Sequence, residues 1–168
     1  MVEKIDDISN ATEVKVVNSV HVRKAVRVIL IGPSRRLLLF RFSGEKGRKD
    51  SSHWAAVGGA VEAQESIIET AEREIYEETG MRNCEIINTE WKVAYSTEVE
   101  DGSVFHDETI VIARTETEEV DRRHWTSFER DQIEEVRWWS LADIMNGNNQ
   151  FRPERLPELF AMTLDILA

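Results

Sequence analysis

The stretch Ala71-Glu72-Arg73-Glu74-Ile75-Tyr76-Glu77-Glu78-Thr79-Gly80 constrains this chain more than any other. Four of its ten residues are glutamates and only Arg73 answers them. Ile68, Ala71 and Ile75 fall at i, i+3 and i+7, the spacing of a buried helical stripe. Gly80 stands where a helix end favours a left-handed residue. The pattern therefore predicts a helix over 66–79. With Glu74 set at zero on a wheel of about 100° per residue, Glu78 lies near 40° and Glu77 near −60°. Ala71 and Ile75 lie at roughly 60° and 100°, so the three carboxylates sit at the edge of the core and not on the far solvent face.

Two readings compete for this ridge. As a solvated charged face it gains from Glu69–Arg73 and Arg73–Glu77, opposite charges at i, i+4 worth about 0.2–0.5 kcal/mol each. That reading leaves Glu74 and Glu78 repelling each other at the same spacing. It also leaves glutamates in the last turn, where the helix dipole favours cations. As a hard-oxygen site the ridge suits Mg²⁺ or Mn²⁺, which would remove the repulsion.

Composition narrows the setting. The chain has 168 residues, enough for one domain with a real core. Its 21 basic and 32 acidic residues give a net charge of −11, which disfavours nucleic-acid polymers and anionic membranes as partners. A small phosphate-bearing substrate stays open if a cation mediates. One cysteine, Cys84, can form neither an internal disulfide nor a cysteine metal cage. No apolar run reaches membrane-spanning length, and "MVEKIDDISNATE" lacks the apolar core of a signal peptide. The expected location is the cytoplasm.

Along the chain, residues 1–13 read as a polar N-terminal segment and 14–168 as a single domain. Strands are expected at 14–31, 37–42, 53–57, 85–99, 104–114 and from 133, with "GPSRR" at 32–36 making 25–42 a hairpin. "EDGS" at 100–103 is a second hairpin turn. Residues 43–52 and 115–131 read as polar and irregular. A short helix follows "VRWWSL". A terminal helix within 152–168 puts Leu156, Leu159, Phe160, Thr163, Leu164 and Leu167 on one side.

Counting from Gly59, five residues precede Glu65 and seven more precede Arg73; Glu74, Ile75, Tyr76, Glu77, Glu78, Thr79, Gly80 and Met81 follow. This matches the pattern G-x5-E-x7-R-E-U-x-E-E-x-G-U, with U apolar, at every fixed position. The chain thus resembles the Nudix hydrolases, with a complete Nudix box at 59–81. "RLLLFRF", "HDETIVIAR" and "VRWWSLADI" resemble flanking segments of the family. Two positions depart from common family usage: Val57 stands where many relatives have Pro, and Gln64 where many have Gly.

The resemblance implies an α/β (α+β) Nudix fold, an α-β-α sandwich with a mixed β-sheet between helices. It implies a hydrolase that cleaves the pyrophosphate linkage of a nucleoside diphosphate joined to another group. ADP-ribose, sugar nucleotides, dinucleoside polyphosphates and nucleoside triphosphates are all candidates. The implied cofactor is Mg²⁺, with Mn²⁺ as a substitute, held by Glu74, Glu77, Glu78 and the Gly59 carbonyl. Arg73 is implied as the residue that orients the carboxylates, and Glu65 as a structural brace. Gly58 and Gly59 would lie against the substrate. The proton acceptor is left among Glu77, Glu108 and Glu129, with an ordinary strand-edge charge as the other reading of Glu108. Arg27 and Arg41 either reach phosphate or snorkel to water with their stems on the sheet. Trp54, Trp125, Trp138 and Trp139 either stack on a base or pack the core. The partner is a nucleotide-derived small molecule, with a homodimer left open. The alternatives are a non-catalytic Nudix-fold nucleotide-binding or regulatory module, and a plain interaction domain with a solvated acidic helix.

Overall fold

The computed structural model describes residues 19–44, 51–100 and 102–168. The polar segment expected at 1–13, the strand start expected at 14–18, most of the loop expected at 43–52 and one residue of the 100–103 turn lie outside the described residues.

Among the described residues the sheet has seven strands: β1 (Ser19–Ile31), β2 (Leu37–Phe42), β3 (His53–Ala60), β4 (Glu85–Val99), β5 (Gly102–Arg114), β6 (Ile133–Trp139) and β7 (Phe151–Arg152). Helix α1 (Ile67–Thr79) follows β3, α2 (Ser127–Gln132) precedes β6, and α3 (Leu141–Met145) and α4 (Leu156–Ile166) close the chain. The sheet is mixed: β1 runs parallel to β5 and antiparallel to β2 and β3.

Its middle strands read as continuous apolar runs because both faces are covered. Alternate residues serve opposite cores. Val26, Val28, Leu30, Leu38, Phe40, Val111 and Ala113 pack with Ala71 and Ile75 of α1. Ile29, Ile31, Leu37, Leu39 and Ile110 pack with Leu156, Leu159 and Phe160 of α4. This is the helix–sheet–helix sandwich that the resemblance implies.

Three local readings change. The expected hairpin over 25–42 has its turn, but β1 pairs with β2 only at Ile31 and Leu37. The rest of β1 is taken by β5 on one side and, over Ala25–Val28, by β3 on the other. The stretch 115–131 is not wholly irregular. Thr126 accepts from the Glu129 N–H while the Glu129 carboxylate accepts from the Thr126 N–H, a capping box that starts α2. Finally, β3 runs past Val57 to Ala60, leaving β2 for β1 on the way. That shift lays Gly58 and Gly59 beside β1, under the last turns of α1.

Candidate active site

Helix α1 is fixed at both ends. Ser66 and Glu69 form a capping box at its start. Gly80 ends it in the left-handed conformation (φ 74°) and donates to the Tyr76 carbonyl at 2.8 Å. The Trp125 indole donates to the Glu78 carbonyl at 2.8 Å, satisfying a helix-end acceptor from within the core.

Between these anchors the ridge divides. Glu74 and Glu78 are both buried, 7% exposed each, while the Glu77 side chain is 45% exposed. Glu74 lies on Gly59, where a β-carbon would collide with its carboxylate. Glu78 reaches Gly58, whose N–H donates to its Oε2 at 3.3 Å. A β-carbon at Gly58 would strike the Val26 carbonyl, so the paired glycines let helix, β3 and β1 close on one another.

Arg73 supplies most of the positive charge. Its guanidinium bonds Glu65 at 2.7 and 3.1 Å, Glu74 at 2.8 Å, Glu77 at 3.2 Å and the Ala60 carbonyl at 3.0 Å. These bonds hold the Glu65 carboxyl down at about 2. Burial pushes Glu74 above the usual carboxylate range despite Arg73, and the charges of Glu77 and Glu129 add to the rise. Glu78 is pushed well above it, by burial first and Glu74 second, with Arg27 opposing. Among the described residues, no basic side chain comes within ion-pair distance of Glu78.

The other expected residues distribute unevenly. Glu129 caps α2, and its charge adds to the rise at both Glu74 and Glu78. Glu108 is not a strand-edge charge: it is 1% exposed in mid-β5 and takes bonds from Arg27 Nε and the Tyr95 hydroxyl, both at 3.2 Å. Arg27 therefore neither snorkels freely nor lies loose for phosphate; its guanidinium also approaches the Ala56 carbonyl at 3.5 Å. Arg41 pairs with Glu134 and Glu135 at 3.6 and 3.9 Å and is not brought to the ridge. Trp54, Trp125, Trp138 and Trp139 take the packing role. Trp54 and Trp139 meet edge to face at 4.9 Å, Trp125 meets Phe40 at 5.9 Å, and Trp138 bonds the Glu118 carbonyl. Tyr95 is the partner of Glu108 that sequence reasoning missed. The β4–β5 register, which no local pattern announces, sets it opposite His106 and two residues from Glu108.

Among the described residues no three His, Cys, Asp or Glu side chains stand at metal-ligand spacing, and both Glu74 and Glu77 are bonded to Arg73. The buried pair nonetheless fits a hard divalent cation. Glu74 and Glu78 are oxygen donors on one face of one helix, they repel each other, and Glu78 has one weak donor of its own.

Comparisons with known proteins bear on the family and the fold. The family model described as NUDIX domain matches residues 21–160. The chain belongs to the Nudix family. Among solved structures it is similar to the MutT protein from Methanosarcina mazei Go1, with a TM-score of 0.62 and 20% identity, covering 89% of this chain and 97% of that one. It is also similar to the NUDIX domain of Shewanella oneidensis NrtR complexed with ADP ribose (TM-score 0.59, 18% identity, 87% and 88% covered). A third is the E. coli dihydroneopterin triphosphate pyrophosphohydrolase (TM-score 0.60, 16% identity, 85% and 98% covered). A search of curated protein sequences finds no match. Among the described residues no helix is long and apolar enough to cross a membrane.

Proposed function

We propose that this chain, a Nudix pyrophosphohydrolase, cleaves the pyrophosphate bond of a nucleoside diphosphate joined to another group, with Mg²⁺ or Mn²⁺ held on α1. The observation that carries the reading is the buried Glu74–Glu78 pair pressed on Gly58 and Gly59. Two like charges at i, i+4, both out of water, oppose folding unless a cation or a proton joins them. The solved relatives named above support the substrate class, one being complexed with ADP ribose and one being named a triphosphate pyrophosphohydrolase.

Glu74, Glu78 and, once released from Arg73, Glu77 would hold the cation with the Gly59 carbonyl. When bound, the ion neutralises the diphosphate oxygens and acidifies a water. The chain's own part is placement and proton transfer. Arg73 sets the rotamers of Glu74 and Glu77 through its bonds at 2.8 and 3.2 Å. A water oxygen attacks one phosphorus, the bridging P–O bond breaks, and its electron pair leaves with the other phosphate. The water's proton passes to a carboxylate. Glu77 and Glu129 are the acceptors that solvent can reach, because Glu108 is enclosed by Arg27 and Tyr95.

The test is a panel of ADP-ribose, sugar nucleotides, dinucleoside polyphosphates and nucleoside triphosphates, assayed with Mg²⁺ for released phosphate or nucleoside monophosphate. At least one should be turned over, and chelator should abolish the rate. Turnover that survives chelation, or a panel left untouched, overturns the reading.

A further inference from the structure

The sheet face that carries α4 changes character along its length. Under α3 and α4 it is apolar, with Ile29, Ile31, Leu37, Leu39 and Ile110. Toward the start of β1 the same alternation presents charged and aromatic residues. Arg23, His106 and Tyr95 lie directly opposite one another on β1, β5 and β4, and so share that face. Glu108, opposite Ala25, stands one same-face position further in, and Arg27, opposite Ile110, stands two.

These side chains form one connected unit. The Tyr95 hydroxyl donates to Glu108 at 3.2 Å, and Arg27 holds the same carboxylate oxygen. The Tyr95 ring lies flat on the His106 imidazole, centroids 4.5 Å apart and planes 8° from parallel. His106 is tied through Nε2 to the Thr97 hydroxyl at 2.9 Å, while its buried Nδ1 has no partner among the described residues. Burial and then Arg23 hold the His106 pKa down. Tyr95 remains 38% exposed, and His106 is its ring partner among the described residues. A buried ion pair is weak support for a fold, and an apolar pair would pack as well. What Arg27 and Glu108 do achieve is to lock an exposed aromatic ring in one orientation. A ring fixed in advance loses little freedom when a second ring stacks on it.

The unit also connects to the acidic ridge. Arg27 pairs in register with Gly58, whose N–H holds Glu78. Tyr95 stands three strand spacings across the sheet and four residues along it from Gly58, and Arg27, paired with Gly58 and bonded to Glu108, lies between them. A nucleoside diphosphate lying along Arg27 would have its phosphates toward α1 and its base toward Tyr95.

We infer that Tyr95 and His106 form the stacking platform for the nucleobase of the substrate, with Arg27 and Glu108 as positioning residues beneath it. The inference rests on α1 being the pyrophosphate site. It is tested by calorimetric binding of the four common nucleoside monophosphates, with ribose 5-phosphate as the baseless probe, all in Mg²⁺. None has a pyrophosphate bond to cleave, so binding is read without turnover. At least one nucleotide should bind about tenfold or more tighter than ribose 5-phosphate. Tyr95→Ala should close most of that gap by weakening the nucleotide alone, whereas Tyr95→Phe, which keeps the ring but frees it from Glu108, should keep only part of it. The absence of a gap, or a gap that survives in Tyr95→Ala, overturns the platform. A gap present in a protein that hydrolyses nothing supports the platform and sinks the hydrolase reading alone.

Discussion

Glu65 and Glu78 belong to one motif, yet their surroundings are opposite. Glu65 precedes α1 and is encased in donors: Arg73 twice, the Thr70 hydroxyl at 2.9 Å and the Glu62 N–H at 3.0 Å. Glu78, in the last turn, has the Gly58 N–H at 3.3 Å and a like charge on Glu74 one turn back. One carboxyl is held well below its ordinary 4.5 and the other well above. A carboxylate that holds a loop together is satisfied within the chain. One kept for an outside cation, as proposed for Glu78, would be left short of donors, with the fold bearing the cost until the cation arrives.

The largest expected effect breaks this comparison at the level of rate. Glu78→Gln removes a proposed ligand and should lower kcat by at least about a hundredfold on whichever panel member is hydrolysed. Glu65→Gln keeps the ridge and should cost less than about tenfold, well below its melting temperature. Equal losses in the two variants, at matched folded fractions, would show that the motif's glutamates are not divided as the geometry divides them.

Stability should divide them with opposite signs. In chelator, Glu78→Gln relieves a buried, repelled charge and should raise stability by about 1 kcal/mol, a melting-point gain of roughly 2–4 °C. Glu65→Gln strips Arg73 of its shortest bond and should lower the melting point. The pH dependence follows from the same shifts. Glu65 has a folded pKa below its unfolded value, so its contribution is present above about 4.5 and is lost as the pH falls toward about 2. Glu78 has a folded pKa above its unfolded value, so the native state favours the protonated form. Its contribution is fullest below about 4.5 and is lost as the pH rises through the folded pKa. A melting curve series in chelator from pH 4 to 8 should therefore decline more steeply for the unmodified protein than for Glu78→Gln. Parallel series would refute the assignment.

What could be read from the sequence followed from how local each feature is. The helical period of Ile68, Ala71 and Ile75 and the order of the box glutamates are properties of a few neighbouring residues. They placed α1 and its ridge correctly. The apolar runs at 28–31, 37–40 and 110–113 likewise fell within expected strands, and the structure shows them covered on both faces. The bond between Arg27 and Glu108 spans 81 positions, and it depends on a parallel pairing of β1 with β5 that no local turn dictates. Read locally, Arg27 was a cation among apolar residues, and the turn at 32–36 made β1 half of a hairpin. Helix α2 went unread for a different reason. It has no buried residue, so it lacks the apolar stripe by which α1 was found, although the Thr126–Glu129 box was there to see.

Gln64 is the smallest test and the most local. It stands where many relatives have glycine, and its φ is 68°, a conformation that costs a residue with a β-carbon about 1–2 kcal/mol. The strain falls on the residue immediately before Glu65, so the donors around Glu65 hold the loop against it. Gln64→Gly would remove the strain but give the unfolded chain more freedom, and the two effects partly cancel. The expected result is a gain of no more than about 1 kcal/mol by denaturant unfolding, with no change in the metal dependence of the rate. A loss of that size instead would mean that the Gln64 side chain makes a contribution the backbone geometry does not reveal. The contrast between a braced Glu65 and an exposed demand at Glu78 would then need the loop redrawn as part of the site.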